Sequence, residues 1–453
     1  MNEKRRDEPT QTPTTPPGEH PDISPNQAPV TLRRGVIPAW GLWDWGSNAF
    51  NTVMLTFVFS VYITTAVADD ELAGTQAFSS AQAWAGLAIA LLAPAVGSLA
   101  DSVGNRRRLL TVSTVGVVVS MALLFFARPE QEYLAFAVIM MAIASVFSEL
   151  SGVFYNAMLL QISTPRTIGR ISGTAWALGY LGGLVALVIV LFGFVQPEVG
   201  LFGVTSENGL NLRAVALFCA TWFLVFALPL LILAPVEAAV VTRRRWTPVL
   251  AYRELVVRIV RMWREERTLL HFLLASAIYR DGLAAVFTFA GILAANAYGF
   301  SQTEVIYFAI AASVTAGAGA WIGGKVDDRL GAKKVIVGSL VTIISAGLVI
   351  LAFDADAVFW VAGLALSTFV GPVQSASRSL LSRITPLGAE NENFGLYATT
   401  GRAVSFLAPS AFALSVSVLG FERAGILGIV VILTLGLAVF APIKLHRVLR
   451  PVE

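Results

Sequence analysis

Apolar residues occur along this chain in long stretches that short polar turns separate. The clearest stretches are residues 85–100, 109–127, 215–234 and 426–443, and each approaches the roughly 20 residues with which a helix crosses a bilayer. A strand of a membrane barrel needs only about 9 to 11 residues, and unpaired backbone amides are costly in hydrocarbon. The pattern therefore predicts an all-α membrane protein.

Twelve such helices can be placed in the sequence. Their predicted bounds are 38–66, 80–100, 108–127, 132–158, 170–194, 212–234, 269–296, 303–325, 333–353, 356–378, 394–418 and 424–443. Most of the loops between them are short. One longer loop is expected in the first half, around Asp69, Asp70, Glu71 and Gly74.

The chain divides into five predicted regions. Residues 1–34 hold seven prolines among acidic and polar residues, which is typical of a disordered cytoplasmic tail. This tail lacks the apolar core of a signal peptide, so we expect the first span to be the insertion signal. After the tail follow an N-terminal six-helix half at 35–235, a linker at 236–268, a C-terminal six-helix half at 269–443 and a cytoplasmic tail at 444–453.

The linker at 236–268 is the most basic part of the chain. Its apolar residues recur at helical spacing among eight arginines, which predicts an amphipathic helix on the inner membrane surface. Two interpretations are open: a linker that only follows the charge bias of membrane proteins, and a regulatory or lipid-sensing element.

The charges indicate how the chain lies in the membrane. Charged residues make up 13% of the sequence, whereas soluble domains carry about 25%. The net charge of +3 does not indicate a nucleic-acid partner, because about 27 of the 32 Lys and Arg residues fall on one predicted side of the membrane. This positive-inside pattern places both termini in the cytoplasm. We expect a multi-pass protein of a bacterial-type plasma membrane, with an organelle membrane as the alternative.

One motif occurs twice. Residues 97–107 and 324–334 share the pattern G-x-x-x-D-x-x-G-x-[RK]-[RK], and one offset of 227 residues separates all fixed positions. Each copy ends the second span of its half, so both copies lie on the same side, which predicts two parallel halves. The positions of the motif that we propose as a conformational latch are Gly97, Asp101, Gly104, Arg106, Gly324, Asp328, Gly331 and Lys333.

Twelve spans in two parallel halves, with this loop in each half, resemble the major facilitator superfamily. Within it, residues 43–50, 154–157 with 169–173 and 179–183, 279–282 and 374–379 resemble the vacuole-effluxer relatives of the autophagy-related amino-acid exporters. The resemblance implies the major facilitator fold and alternating access to a central cavity lined by the first, fourth, seventh and tenth spans. It also implies outward transport of an amino acid or a similar small zwitterion.

Ionisable residues inside the spans are candidates for function, because a charge at the centre of a span costs about 2.5 to 3.5 kcal/mol on insertion scales. The predicted spans contain three acids and three bases: Asp44, Glu149, Asp281, Arg280, Arg378 and Arg402. By resemblance, all except Arg402 lie on cavity-lining spans. With their polar and aromatic neighbours, the candidates for a substrate or proton site are Asp44, Asn48, Asn51, Glu149, Tyr155, Asn156, Tyr180, Arg280, Asp281, Gln374 and Arg378.

These candidates suggest two roles. Arg280 or Arg378 would hold a substrate carboxylate, because the planar guanidinium matches a carboxylate with two parallel hydrogen bonds. Glu149 or Asp281 would bind a coupling proton, because an ionised carboxyl group is costly away from water. The alternative is that the six charges form static bridges and that Asp44 faces lipid headgroups near the end of a long first span.

The repeated motif suggests a gate. By resemblance, Asp101 and Asp328 would contact a neighbouring helix terminus or arginine in one conformation and release it in the other. The alternative is that the basic loops only determine topology.

The sequence contains no complete enzyme or cofactor motif. Gly319, Gly324 and Lys325 have the spacing of a phosphate-binding loop, but Val326 follows where Ser or Thr is needed, and the stretch lies inside an apolar span. Three scattered histidines and the single cysteine, Cys219, give no metal site. We expect no enzymatic activity, no cofactor and no metal.

Without an ATP-binding domain, the expected energy source is an ion or solute gradient, and a uniporter also fits. The expected partners are a small-molecule substrate, the lipid bilayer and, in a coupled mechanism, protons, with the protein acting as a monomer. Export of a drug-like or other metabolite is an alternative, as are a non-transporting receptor or scaffold and a lipid flippase. Substrate, direction, coupling ion and the pairing of the six charges are left open by the sequence.

Overall fold

The computed structural model describes residues 33–103, 106–235, 248–386 and 388–444. Within these ranges, twelve helices are long and apolar enough to cross a membrane. They are α1 (Val36–Val67), α2 (Glu71–Asp101), α3 (Arg106–Phe126), α4 (Gln131–Ile162), α5 (Ile168–Val195), α6 (Glu207–Leu233), α7 (Arg267–Ala295), α8 (Thr303–Leu330), α9 (Ala332–Ala352), α10 (Asp356–Ile384), α11 (Glu390–Leu419) and α12 (Glu422–Phe440). The predicted all-α membrane fold is confirmed.

The two six-helix halves, α1–α6 and α7–α12, meet mainly where α2 packs on α11 and where α5 packs on α8. Glycines let these helices approach closely. A Cβ atom added at Gly97 in α2 would lie 2.4 Å from the carbonyl oxygen of Asn391, and one added at Gly173 in α5 would lie 2.4 Å from that of Ala320. Because a larger residue would push the helices apart, these glycines set the contact between the halves.

Both copies of the repeated motif lie at one end of the bundle, which we call the basic side. The helices α2, α4, α8 and α10 end at this side, whereas α5 and α11 begin there. The shared orientation of α2 and α8 follows from the parallel arrangement of the two halves.

The loop expected around Asp69 to Gly74 is shorter than predicted: Asp69 and Asp70 lie in a bend, but Glu71 and Gly74 are already helical. The helix α2 begins at Glu71, nine residues before the predicted start of the second span. Asp70 starts it, since its Oδ2 accepts a hydrogen bond from the backbone N–H of Ala73 at 2.9 Å. Gly74 packs against the end of α1, where an added Cβ would lie 2.8 Å from the carbonyl oxygen of Thr64. Asp70 and Gly74 have the residue types of a polar turn, but here Asp70 caps the start of a helix and Gly74 allows a close helix contact.

Several membrane helices are irregular, α1 and α11 among them. In α1, residues Phe50–Phe57 and Ile63–Val67 are π-helical. In α11, the α-helical segments Glu390–Val404 and Leu407–Leu419 are separated by a break. Such breaks leave backbone groups without helical partners and are tolerated in a membrane where protein groups satisfy them.

A separate helix, Pro248–Glu265, lies between the two halves in the linker. Arg258 attaches it to the bundle, with Nη2 2.8 Å from Oε2 of Glu266 and Nε 3.9 Å from Oε2 of Glu392. The predicted N-terminal tail up to residue 32, the start of the linker at 236–247, Gly104 and the C-terminal tail from residue 445 lie outside the described residues.

Candidate functional site

A cavity lies between the two halves. It encloses about 550 Å³ that protein atoms leave free, part of it open to solvent. Both halves contribute to its wall, which is lined by Glu149, Gly152, Val153, Asn156 and Trp176 from the first half and by Arg280, Gln374, Arg378, Phe394, Tyr397 and Ala398 from the second. The halves thus present charged, polar and aromatic groups to one space, as the binding of a small solute requires.

Asp101, near the end of α2, contacts the start of α11. Its Oδ2 accepts a hydrogen bond from the backbone N–H of Glu392 at 2.8 Å, and its Oδ1 accepts one from the side-chain amide of Asn391 at 2.6 Å. Arg106 lies beside it, with Nη2 3.6 Å from Asp101 Oδ1 and 3.5 Å from Oε2 of Glu390. The carboxylate is stabilised there because the first N–H groups of a helix have no partner within the helix.

Asp328 makes the equivalent contact with the start of α5. The backbone N–H groups of Gly169 and Arg170 donate to its two carboxylate oxygens at 2.7 and 3.1 Å. Arg383 lies nearby, with Nη2 3.7 Å from Oδ1 of Asp328 and Nη1 2.6 Å from Oδ1 of the buried Asp327. Each acid therefore binds the start of a helix of the opposite half, and both contacts lie on the basic side.

The other positions of the motif have local roles. Gly324 packs against α5. Gly331 has φ +88°, a conformation that favours glycine, and it ends α8. Lys333 donates from Nζ to the backbone carbonyl of Ile443 at 2.7 Å, within its own half.

Arg378 lies at the floor of the cavity and is only 4% exposed. Its Nε donates to Oγ of Ser172 at 2.9 Å, and its Nη2 donates to the carbonyl oxygen of Ser172 at 2.7 Å. Its Nη1 donates to Oδ1 of Asn156 at 3.1 Å and lies 3.4 Å from Oδ2 of Asp44. The guanidinium carbon lies 4.7 Å from the ring centre of Trp40. All of these partners belong to the first half.

Asp44 lies in a packed layer below the cavity and not among lipid headgroups. The hydroxyl of Tyr155 donates to its Oδ2 at 3.2 Å. The Tyr155 ring stacks between Trp40 and Trp43, with centroid distances of 4.4 and 4.2 Å. The side chain of Asn48 donates to the backbone carbonyl of Asp44 within α1 at 3.0 Å.

Two further charged residues lie higher in the cavity. Arg280 donates from Nη1 to the backbone carbonyl of Tyr397 at 3.2 Å, and its guanidinium carbon lies 3.8 Å from the Tyr397 ring centre. Among the described residues it has no carboxylate partner within 4 Å. Glu149 forms an ion pair across the halves with Arg402, with Oε1 2.7 Å from Nη2.

Aromatic residues form part of the cavity wall. The indole Nε1 of Trp176 is buried and lacks a hydrogen-bond partner in the described part of the chain. Its ring packs on Tyr180 at 5.9 Å, and Tyr180 packs on Phe287 of the other half at 6.2 Å. A buried donor without a partner is costly, so a solute that accepts a hydrogen bond would be stabilised beside Trp176.

A model of the family described as "Vacuole effluxer Atg22 like" matches residues 75–452. The chain belongs to this Atg22-like family. Together with the twelve helices and the fold neighbours, the match makes it a secondary transporter of the major facilitator superfamily.

Two relatives and one solved structure illustrate the similarity. The "Uncharacterized MFS-type transporter YxiO" of Bacillus subtilis is 23% identical over 410 residues, which are 89% of this chain and 93% of that protein. Autophagy-related protein 22 of Cryptococcus neoformans is 25% identical over 313 residues, which are 62% of this chain and 54% of that protein. The E. coli fucose:proton symporter FucP has a TM-score of 0.69 at 14% identity and covers 91% of this chain and 98% of its own. At that identity, the likeness shows the fold alone.

Most of the residues that the sequence suggested for a substrate or proton site lie in or next to the cavity. Five line the cavity, namely Glu149, Asn156, Arg280, Gln374 and Arg378. Asp44 and Tyr155 join them through Arg378, Asn48 adjoins Asp44, and Tyr180 joins through Trp176.

Two candidates lie elsewhere. Asn51 is exposed and is not part of the described cavity wall, because α1 becomes π-helical at Phe50 and no longer follows the 3.6-residue spacing. Asp281 is buried on another face of α7, where its Oδ2 accepts a hydrogen bond from the backbone N–H of Ala408 at 2.6 Å.

Several contributors were missed by sequence reasoning. Ser172 accepts a hydrogen bond from Arg378, the ring of Tyr397 packs on the guanidinium of Arg280, and Asp327 pairs with Arg383. Ser172 lies between Gly169 and Gly173, whose G-x-x-x-G spacing marks a close helix contact but does not indicate an arginine site. Asp327 directly precedes the motif acid Asp328. The sequence does not distinguish the two, because Asp327 pairs with Arg383 in α10 whereas Asp328 binds the start of α5.

Proposed function

We propose that this transporter exports an amino acid or a similar small zwitterion and that the solute binds between Arg280 and Glu149. One observation carries the proposal: the cavity presents Arg280, which has no carboxylate partner in the described part of the chain, on one half and the carboxylate of Glu149 on the other. A zwitterion offers the complementary pair of charges. The family description as an effluxer supports the outward direction.

The carboxylate of the solute would bind Arg280. Tyr397 already holds the guanidinium by its ring and its backbone carbonyl, so little side-chain freedom is lost when the solute binds. Arg378 is less suited to this role, because the first half occupies its hydrogen-bonding groups.

The ammonium group of the solute would approach Glu149 and compete with Arg402 for its carboxylate. This pair is partly exposed, with side chains 36% and 38% accessible, so water can solvate either partner when the pair opens. The indole N–H of Trp176 would serve a hydrogen-bond acceptor elsewhere on the solute.

Proton coupling would involve Glu149 or Asp281. Asp281 caps the second segment of α11 by bonding Ala408, and protonation of the carboxylate would weaken that cap at a break in a membrane helix. The fold neighbour FucP is named as a proton symporter.

Substitution of these two acids tests the coupling. Proton-driven transport should lose its pH dependence in Glu149→Gln or in Asp281→Asn. If both variants keep the pH dependence, neither residue carries the coupling proton.

A thermal-shift screen of the purified protein tests the solute class. Amino acids should stabilise the protein, whereas the corresponding amine without a carboxylate and the N-acetylated acid should stabilise it much less. Arg280→Gln should abolish the stabilisation, because the variant cannot form the charged fork. Arg423→Gln is the matched control, since Arg423 pairs with the exposed Asp354 away from the cavity.

Flux in proteoliposomes tests transport itself. Counterflow of a stabilising amino acid is expected. Flux of drug-like or metabolite solutes alone would refute the zwitterion, and movement of labelled lipid alone would indicate a flippase. No flux of any solute under any gradient would indicate a receptor or scaffold.

A further inference from the structure

The charged groups between the halves lie at different depths. Arg280 lies thirteen residues from the start of α7, about 20 Å from the basic side at 1.5 Å per residue. Arg378 lies six residues before the end of α10, about 9 Å from the same side. Arg378 therefore lies between the cavity and the two acids of the repeated motif.

We propose that Arg378 is a plug: a side chain of the second half that closes the basic-side path by inserting into a socket built by the first half. The socket consists of Ser172, Asn156, Asp44 and Trp40. This role is separate from solute binding and does not depend on which solute the protein transports.

The geometry of the socket fits a guanidinium and not merely a positive charge. Nε and Nη2 both bond Ser172, and Nη1 faces Asn156 and Asp44. The hydroxyl of Ser172 also donates to the carbonyl oxygen of Ser375 at 2.8 Å, which adds another bond between the halves. A planar fork with fixed donor directions suits this arrangement, and a lysine ammonium cannot reproduce it.

Alternating access requires these contacts to break. When the halves separate on the basic side, α10 moves away from α4 and α5, and Arg378 must leave its socket. Water that enters the opened path can then solvate Arg378 and Asp44, so neither charge is left buried without a partner. The plug therefore favours the closed conformation and is released only in the open one.

Two reporter cysteines can follow the path above and below the plug. Gln374 lies one helical turn from Arg378 on the cavity side, whereas Ser382 lies one turn away towards the basic side and is buried. The only native cysteine, Cys219, is buried and can be replaced in a Cys219→Ala background. Labelling of Ser382→Cys and of Gln374→Cys by a water-soluble maleimide is measured in lipid nanodiscs without solute.

In the Arg378→Gln variant, the maleimide should label Ser382→Cys about tenfold faster, because several charge-assisted hydrogen bonds that favour the closed state are lost. Labelling of Gln374→Cys should slow at the same time, as the cavity closes on the other side. Arg378→Lys should give an intermediate effect. Arg423→Gln, which removes an arginine that pairs with Asp354 away from the cavity, is the matched control and should change neither rate.

Unchanged labelling of Ser382→Cys in Arg378→Gln would overturn the plug, as would equal acceleration at both reporters, which indicates a loosened fold. If Arg378→Gln does not fold, Ser172→Ala decides, because it keeps the Arg378 charge and removes the hydroxyl that accepts from Arg378 and donates to Ser375. It should accelerate labelling of Ser382→Cys about threefold; no acceleration overturns the proposal. Because no solute is present, these outcomes are independent of whether the zwitterion proposal holds.

Discussion

The two copies of the repeated motif fold alike but are reinforced differently. Both place an acid, Asp101 or Asp328, at the start of a helix in the opposite half. Beside Asp101, the motif arginine Arg106 reaches Glu390 across the halves. Beside Asp328, the motif lysine Lys333 bonds a carbonyl of its own half. The repeated acid is thus the shared element, whereas the basic position contributes to the contact between the halves in one copy only.

A second difference lies one residue before each acid. Ala100 precedes Asp101, whereas Asp327 precedes Asp328. Asp327 is 1% exposed and pairs with Arg383 of its own half. The second copy is therefore strengthened from within its half, and the first copy from across the halves.

The largest expected effect concerns this internal pair. Asp327→Ala, which makes the second copy like the first, leaves Arg383 without its closest partner and should destabilise the protein by about 3 kcal/mol. The thermal midpoint in detergent measures this loss. Arg383→Ala added to Asp327→Ala should restore part of the stability, because the unpaired charge is removed. A single variant as stable as the wild type would show that the pair contributes nothing.

The next effect compares the two acids directly. Asp101→Asn should accelerate labelling of Ser382→Cys about tenfold and Asp328→Asn about threefold, because Asp101 also binds the side chain of Asn391 and lies beside a cross-half ion pair. Equal rates would mean that the two copies close the basic side equally.

A smaller effect is expected at the basic positions. Glu390→Gln should accelerate the same labelling about twofold, since its contact with Arg106 is long at 3.5 Å. Lys333→Gln is the matched comparison and should leave the rate unchanged, because Lys333 bonds within its own half. A larger effect of Lys333→Gln than of Glu390→Gln would reverse the proposed difference.

The smallest effect tests which atoms of Arg170 bind Asp328. Asp328 binds the backbone N–H of Arg170, whose side chain is exposed. Arg170→Gln should therefore change labelling by less than about 1.5-fold, because a surface side chain contributes little. A strong effect would show that the Arg170 charge, and not its backbone, holds the acid.

Much of the fold was predictable because it depends on local patterns. Apolar runs of sufficient length predicted twelve helices within six residues of their observed bounds, apart from the start of α2. The 227-residue repeat predicted parallel halves, since a motif at equal positions in two halves must occupy one side of the membrane. The scarcity of charge in the spans also restricted the candidates to a few residues, five of which line the cavity.

The partner of each charge was decided only by the tertiary structure. Arg280 and Arg378 look equivalent in the sequence. Yet Arg280 faces the cavity and has no carboxylate partner among the residues that the structure describes, whereas Arg378 fills a socket in the opposite half. Asp281 is adjacent to Arg280 but points towards α11. Sequence spacing fixes which residues share a helix face, whereas the rotation and approach of separate helices determine which faces meet.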